Sequence, residues 1–305
     1  MKKGENMKKK ISALFLMLMI AFGFSGVHAD PNNHYVNGVE GVKGGSVPPP
    51  GFYYKMYNVF YSADETMDQD GNEAPIGFDL NIFAIANRFI WVTDKKFLGA
   101  DFFMDTTIPL MKTDLEITAL GVNSDDSGIG DICLEPAGLA WHGPRYDAAL
   151  ALAVYLPTGD FDITNPASNG KGFYTFMTTF GGTYYFDAQK TWSASFLGRY
   201  EIHTDQEDRD YTPGDDLHFE WGIGKSFAKV WEAGIAGYCQ WQVSDDSGSN
   251  ATDVGVHDQV YAIGPEISVF IPRFKLFANF RAEFEFEAED RPQGNVFVLT
   301  LTKIF

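Results

Sequence analysis

Cysteine is scarce: Cys133 and Cys239 are the only two in 305 residues. That count excludes a scaffold stapled by several disulfides. Basic residues are also few, with 23 Lys and Arg against 41 Asp and Glu and a formal charge of −18. Such a chain lacks the contacts that phosphates demand, which excludes nucleic acid as a partner and polybasic attachment to anionic lipid. Long hydrophobic runs are missing beyond residue 29, and mean hydropathy is −0.15. A bundle of membrane-spanning helices is therefore excluded as well. Yet 15% of the residues are aromatic, a high share for so acidic a chain. Alternating strands reconcile the two facts, because half of each strand can face lipid while the average stays polar.

The N-terminus reads as an export signal. Lys2, Lys3, Lys8, Lys9 and Lys10 precede an apolar run, 11–24, followed by Val27-His28-Ala29. A positive stretch, a short apolar core and a small-residue cleavage site make a secretory signal peptide, 1–29, cut after Ala29. These 29 residues carry five Lys and one Glu, so the exported chain has a charge near −22. Residues 30–51 are rich in Gly, Pro and Asn and lack periodicity. They read as an irregular periplasmic leader and a partial plug, ahead of a transmembrane β-barrel over 52–305.

From Phe52 onward, extended segments alternate with connections of two lengths. Short ones are expected near 93–96, 143–147, 187–190, 228–230 and 272–275. Long ones are expected near 63–75, 112–128, 158–172, 204–216, 245–256 and 289–294. Alternating long and short connections imply an antiparallel, up-and-down, all-β barrel of about twelve strands, tight turns on one side and loops on the other. Residues 278–287 show why. Ala278, Phe280, Ala282, Phe284 and Phe286 share one face, and Asn279, Arg281, Glu283, Glu285 and Glu287 share the other. Side chains alternate across a strand, so one surface is apolar and the other charged. As a helix the same segment would mix Phe and Glu all round.

Aromatics cluster beside the short turns at Tyr53, Tyr54, Trp91, Trp141, Tyr184, Tyr185, Phe186, Trp192, Phe227 and Trp231. They are expected to form an interfacial girdle. The last strand places Phe297, Leu299, Leu301 and Phe305 on one face, and Phe305 resembles the terminal aromatic read by the outer-membrane assembly machinery. Lys303 interrupts that face near the interface, where it can snorkel.

The expected lumen is acidic. Its candidate lining residues are Asp79, Asp101, Asp105, Asp131, Glu135, Glu201, Glu220, Glu232, Glu266, Glu283 and Glu285, with Arg199 and Arg281 among them. Two uses are open, an ion-selective or solute-binding lining and a paired structural network. Cys133 falls on the lumen face and Cys239 on the lipid face, so no disulfide is expected. Ser-Asp-Asp-Ser-Gly occurs at 124–128 and at 244–248, and Asp125, Asp126, Asp245 and Asp246 are weak candidates for divalent ions or for bridging to lipopolysaccharide. A solvated turn is the commoner use of such a sequence. His203 and His218 are the candidate bases of a barrel hydrolase. No Gly-x-Ser-x-Gly elbow accompanies them, so catalytic residues and cofactors are not expected.

His34-Tyr35-Val36-Asn37-Gly38, Pro50-Gly51-Phe52-Tyr53, the run from Asp125 to Asp131, Leu156-Pro157-Thr158-Gly159, Trp221-Gly222-Ile223-Gly224-Lys225 and Arg291-Pro292-Gln293-Gly294 occur in this order. Together they resemble a bacterial family named for the meta-pathway of phenol degradation. The resemblance covers nearly the whole exported chain. It implies an outer-membrane barrel of the transporter kind and brings neither a defined substrate nor catalytic residues. The chain is expected to be a monomer that passively takes up small solutes, aromatic or otherwise hydrophobic. The rivals are a structural or surface-interaction barrel without an open pore and, less favoured, a barrel hydrolase.

Overall fold

The computed structural model describes residues 32–252 and 254–305. The expected signal, 1–29, lies outside the described residues. Thirteen strand segments follow the leader: β1 (Gly51–Thr66), β2 (Phe78–Phe97), β3 (Ala100–Ile117), β4 (Val122–Ile129), β5 (Ile132–His142), β6 (Tyr146–Leu156), β7 (Thr175–Tyr185), β8 (Trp192–His203), β9 (Asp216–Phe227), β10 (Trp231–Gln242), β11 (Gln259–Ile271), β12 (Leu276–Glu289) and β13 (Pro292–Ile304). Each pairs antiparallel with its neighbours, and β1 pairs with β13 from Tyr53↔Ile304 to Thr66↔Pro292. The ring is closed, so no strand edge is left with unpaired backbone groups in lipid. Both β4 and β5 pair with β3, β4 along Leu110–Ile117 and β5 along Asp101–Thr107. They act as one strand broken at Gly130–Asp131, which makes the barrel twelve-stranded.

Polarity fixes which face looks outward. In β12, Phe280 and Phe284 are 46% and 49% exposed, whereas Arg281 and Glu283 are 3% and 0% exposed. Leu152, Phe176, Ile223, Ile235 and Leu299 continue the outward apolar band around the ring. An apolar exterior over a charged interior is what a bilayer requires of a closed barrel. No helix among the described residues is long and apolar enough to cross a membrane, and the strands do the crossing. This is a transmembrane barrel of the bacterial outer-membrane type.

The short turns and long loops keep to opposite ends, with three corrections. The first short turn is Leu98–Gly99 rather than 93–96, with both residues at positive φ (50° and 77°). Such a pair makes the hairpin turn whose twist suits the flanking strands, and the second position calls for glycine. The connection expected over 112–128 is the β3–β4 hairpin, turned at residues 118–121. Ser124–Gly128 therefore lies in a strand. The connection expected over 289–294 is only the two residues 290–291. At the β7–β8 turn, Asp187 accepts the backbone N–H groups of Thr191 (3.0 Å) and Trp192 (2.9 Å), which hold its carboxyl below the usual carboxylate range.

Two expected faces are also revised. Glu287 adopts φ 51°, the alternation slips there, and Glu287 is exposed while Ala288 points inward. Tyr53 and Tyr185 are buried inside, so the aromatic girdle rests on Trp91, Tyr184, Phe186, Trp192, Phe227 and Trp231.

Beyond the bilayer band, β1 to β4 continue outward with polarity reversed. Leu80, Leu115, Ile117, Phe78 and Ile76 face inward and pack with Ala63, Ala74 and, from the 157–174 loop, Ala167. Lys112, Asp114, Glu116 and Asp125 face outward, with Lys112 Nζ donating to Asp114 at 2.7 Å. This extension is a small water-soluble sandwich of strand and loop built on the membrane barrel.

Candidate functional site

Residues 32–50 run through the barrel from the long-loop end to the short-turn end. At the outer end, Asn32 donates to the Tyr211 hydroxyl in the 204–215 loop at 2.7 Å, and His34 Nε2 lies 2.8 Å from Asp131 Oδ2. At the inner end, Ser46 Oγ donates to Asp147 Oδ2 (2.9 Å) and lies 2.8 Å from the Thr183 hydroxyl. The segment has no regular structure, so its backbone groups need partners from the wall. Glu201 accepts the N–H groups of His34 (3.0 Å) and Tyr35 (2.9 Å), Glu220 accepts that of Glu40 (3.0 Å), and Glu266 accepts that of Val42 (2.9 Å). Arg281 Nη1 donates to the Gly38 carbonyl at 2.6 Å. The wall is notched to admit the segment: a Cβ at Gly222 or Gly224 would collide with Val42, and one at Gly45 with the Gly182 backbone.

The acidic residues expected inside are there, with one correction. Asp79 is exposed on the outward face of β2, flanked by the inward Phe78 and Leu80. Its strand has left the bilayer at that point, so the rule that puts acids inside no longer holds. Asp101, Asp105, Asp131, Glu135, Glu201, Glu220, Glu266, Glu283, Arg199 and Arg281 are all buried, and Glu232 and Glu285 are half-buried. Most are paired. Arg88 holds Asp105 through two bonds (2.9 and 2.6 Å) and reaches Glu135 at 3.3 Å. Arg199 pairs with Glu220 at 3.0 Å and stacks on the Tyr35 ring at 3.8 Å. Arg281 Nε bonds Glu266 at 2.9 Å, Lys43 pairs with Glu232, and Lys96 pairs with Asp101. Glu285 accepts the hydroxyls of Tyr61 (2.8 Å) and Tyr238 (2.6 Å).

Lys55, Arg88, Asp147, Asp216, Asp258 and Arg291, and Glu40 of the leader, also face the interior, and none is among the lining residues expected from the sequence. Glu40 accepts from Lys55 Nζ at 2.7 Å and from the Tyr57 hydroxyl at 2.6 Å. A signal for Arg88 was present: it shares its alternation with Ala84, Ala86 and Ile90, opposite the outward Phe89 and Trp91. Nothing in the leader's irregular sequence marks Glu40.

The other candidates fall differently. Cys133 and Cys239 are free thiols, the first buried and the second half-buried. Asp125 and Asp126 lie in β4. Asp126 accepts the Asn169 N–H at 3.1 Å, Asp245 pairs with His257 at 2.8 Å, and Asp246 accepts from Tyr211 (2.8 Å) and Gly214 N (2.8 Å). These carboxylates tie strands and loops together. His203 Nδ1 meets Thr175 Oγ1 at 2.7 Å and its Nε2 meets Asp216 at 3.1 Å, while His218 meets Asn37 at 2.8 Å. Neither Thr175 nor His203 lines the internal cavity.

That cavity, 340 Å³, lies between the leader, the inner wall of β1 to β3 and the 157–174 loop. Val39, Val59, Ala84, Ala86 and Met111 make one apolar side, and Phe161 and Ile163 of the loop contribute to its outer end. Arg88 with Asp105, Glu135 and Glu40 supplies a charged patch. A mostly apolar cleft with a few converging polar groups is the usual form of a small-molecule site.

An outer membrane channel from Pseudomonas putida F1 has the same fold, with 12% identity and a TM-score of 0.76 over 90% of this chain and 100% of that one. The translocator domain of the autotransporter NalP from Neisseria meningitidis is a more distant likeness, at 9% identity and a TM-score of 0.49 over 86% of this chain and 91% of that one. No curated protein matches the sequence. A family model matches residues 63–301, most of the chain, and the protein accordingly belongs to the family described as "Putative MetA-pathway of phenol degradation".

Proposed function

We propose that this barrel is an outer-membrane channel for passive uptake of small, largely apolar solutes, aromatic ones among them, and that residues 32–50 are the plug that must shift to let them pass. The 340 Å³ cavity carries this reading. Its volume falls in the range of about 300–1,000 Å³ that small-molecule sites occupy. Its apolar side receives a ring or short chain, and Arg88 with its carboxylates receives a polar end. The leader closes the cavity toward the periplasm with bonds to the wall that are short, numerous and individually modest. No catalytic step is part of this reading. Phe305, exposed at the lipid face with its ring 5.6 Å from that of Phe52, fits the role of assembly signal on a monomer. The acidic loops fit contact with lipopolysaccharide through divalent ions.

Single-channel conductance and liposome uptake of aromatic solutes test the proposal. Ser46 and Thr183 touch through their hydroxyls, so replacing both with Cys in a Cys133→Ser, Cys239→Ser background staples the plug to the wall. The stapled barrel is expected to lose uptake and conductance, and a reductant to restore both. Deleting residues 32–46 is expected to raise conductance several-fold. Uptake unaffected by either change would sink the plug, and an absence of uptake in every form would favour a structural barrel.

A further inference from the structure

The buried carboxylates differ in their ionic partners. Asp105, Glu135, Glu220, Glu266 and Asp258 each have an arginine within 4.0 Å. Glu40, Asp101 and Asp147 have a lysine, Asp131 has His34, and Glu283 has no ion pair among the described residues. Glu201 and Asp216 have neither arginine nor lysine. Their ionic partners among the described residues are His218 Nε2 at 3.4 Å and His203 Nε2 at 3.1 Å, respectively. The side chains of Glu201 and Asp216 are 0% and 2% exposed. Two anions sunk this deep without a fixed cation are a heavy electrostatic load.

Strand geometry brings their tips together. Glu201 and His203 are two residues apart in β8 and share its inner face, and Asp216 of β9 lies directly opposite Glu201. One donor atom from each of Glu201, His203 and Asp216 lies within 4.8 Å of the other two. Each is also held from behind. His203 Nδ1 meets Thr175 Oγ1 at 2.7 Å, Asp216 Oδ1 accepts from Gln240 Nε2 at 2.6 Å, and Glu201 Oε1 accepts the Tyr35 N–H at 2.9 Å. Outer partners of this kind set the tautomer and orientation of metal ligands. One imidazole and two carboxylates suit a borderline divalent ion of the zinc type, and the nitrogen donor disfavours calcium and magnesium.

We propose that Glu201, His203 and Asp216 bind one divalent transition-metal ion and that this ion fastens the outer end of the leader. The ion's two positive charges balance the two carboxylates, which have no arginine or lysine beside them. Glu201 also accepts the N–H groups of His34 and Tyr35, so an ion that fixes Glu201 fixes the leader through it. The inference rests on the leader's position and not on which solute the channel admits.

The competing arrangement has protonated histidines in place of the ion. The full chain, refolded in detergent with Zn²⁺ or Co²⁺ and dialysed, distinguishes them by metal content and by the Co²⁺ ligand-field spectrum. One ion per chain is expected, with a four- or five-coordinate Co²⁺ spectrum. Asp216→Asn and His203→Gln are each expected to weaken binding at least about tenfold, the size of effect seen for changes at metal sites. His257→Gln, at an exposed pair in the 243–258 loop, is expected to leave it unchanged. Heat-modifiable migration reports whether each variant is folded, and Thr175→Val serves if a ligand variant is not, with a smaller loss of affinity expected. Zinc is further expected to slow proteolysis of the leader in the parent and not in Asp216→Asn. Absence of a retained ion in the folded parent overturns the proposal. So does an ion retained equally by folded Asp216→Asn and His203→Gln, which would mark adventitious binding at the acidic loops.

Discussion

The bilayer band and the outer extension are built from the same strands and are opposite in polarity. In the band, Phe280 and Phe284 look outward over a charged interior. In the extension, Leu80, Leu115 and Ile117 look inward, and Asp79, Asp114 and Glu116 face water. Period-two alternation is therefore a property of the strand, and the surrounding solvent decides which set of side chains is apolar. One strand, β2, passes from one regime to the other without a break over 20 residues.

The sharpest way to break the comparison is at the charged interior. Arg88→Met leaves Asp105 and Glu135 buried without their cation, and is expected to cost about 3–5 kcal/mol. Urea titration of refolding into lipid vesicles measures it, and adding Asp105→Asn is expected to recover part of the loss. Leu115→Ala empties part of the extension's core and is expected to cost about 2–5 kcal/mol, felt as easier proteolysis of the β3–β4 hairpin with the barrel still inserted. If the barrel failed to insert instead, the extension would not be a separate layer. Phe284→Arg puts a charge on the lipid face and is expected to cost about 2–4 kcal/mol in the same urea titration, least if the site lies near an interface. Asp79→Arg makes a comparable change in the extension, and is expected to stay within about 0.5 kcal/mol because the residue faces water. Equal effects from Phe284→Arg and Asp79→Arg would erase the proposed boundary.

Much of the barrel was legible because a bilayer enforces alternation strictly. Residues 278–286 show Phe and Glu on strict alternate positions, and the closing strand ends on Phe305. The β3–β4 hairpin was not legible, because its partner strand is Asn-Ser-Asp-Asp-Ser-Gly, a composition shared with solvated turns. Only the inward Leu115 and Ile117 betray it. Asp79 was misplaced for the same reason, since a rule drawn from the band was applied to a strand that had left it. Of the interior, single acids were legible and pairings were not. Arg88 and Asp105 meet only once β2 folds back on β3, and Glu201 reaches a leader 166 residues away. Such contacts depend on register and closure, which no local pattern encodes.

An even number of strands returns a chain to the side from which it set out, and Gly51 and Phe305 are indeed at the same end, with the Phe305 N–H on the Phe52 carbonyl. The leader changes that parity. Because it makes one more traverse inside the ring, Asn32 lies beside Tyr211 among the long loops, at the opposite end from Phe305. Between Asn32 and Phe305 the polypeptide thus passes from one side of the membrane to the other an odd number of times. Labels joined near Asn32 and at Phe305 therefore report from opposite ends of the barrel, the first among the long loops and the second beside the short turns.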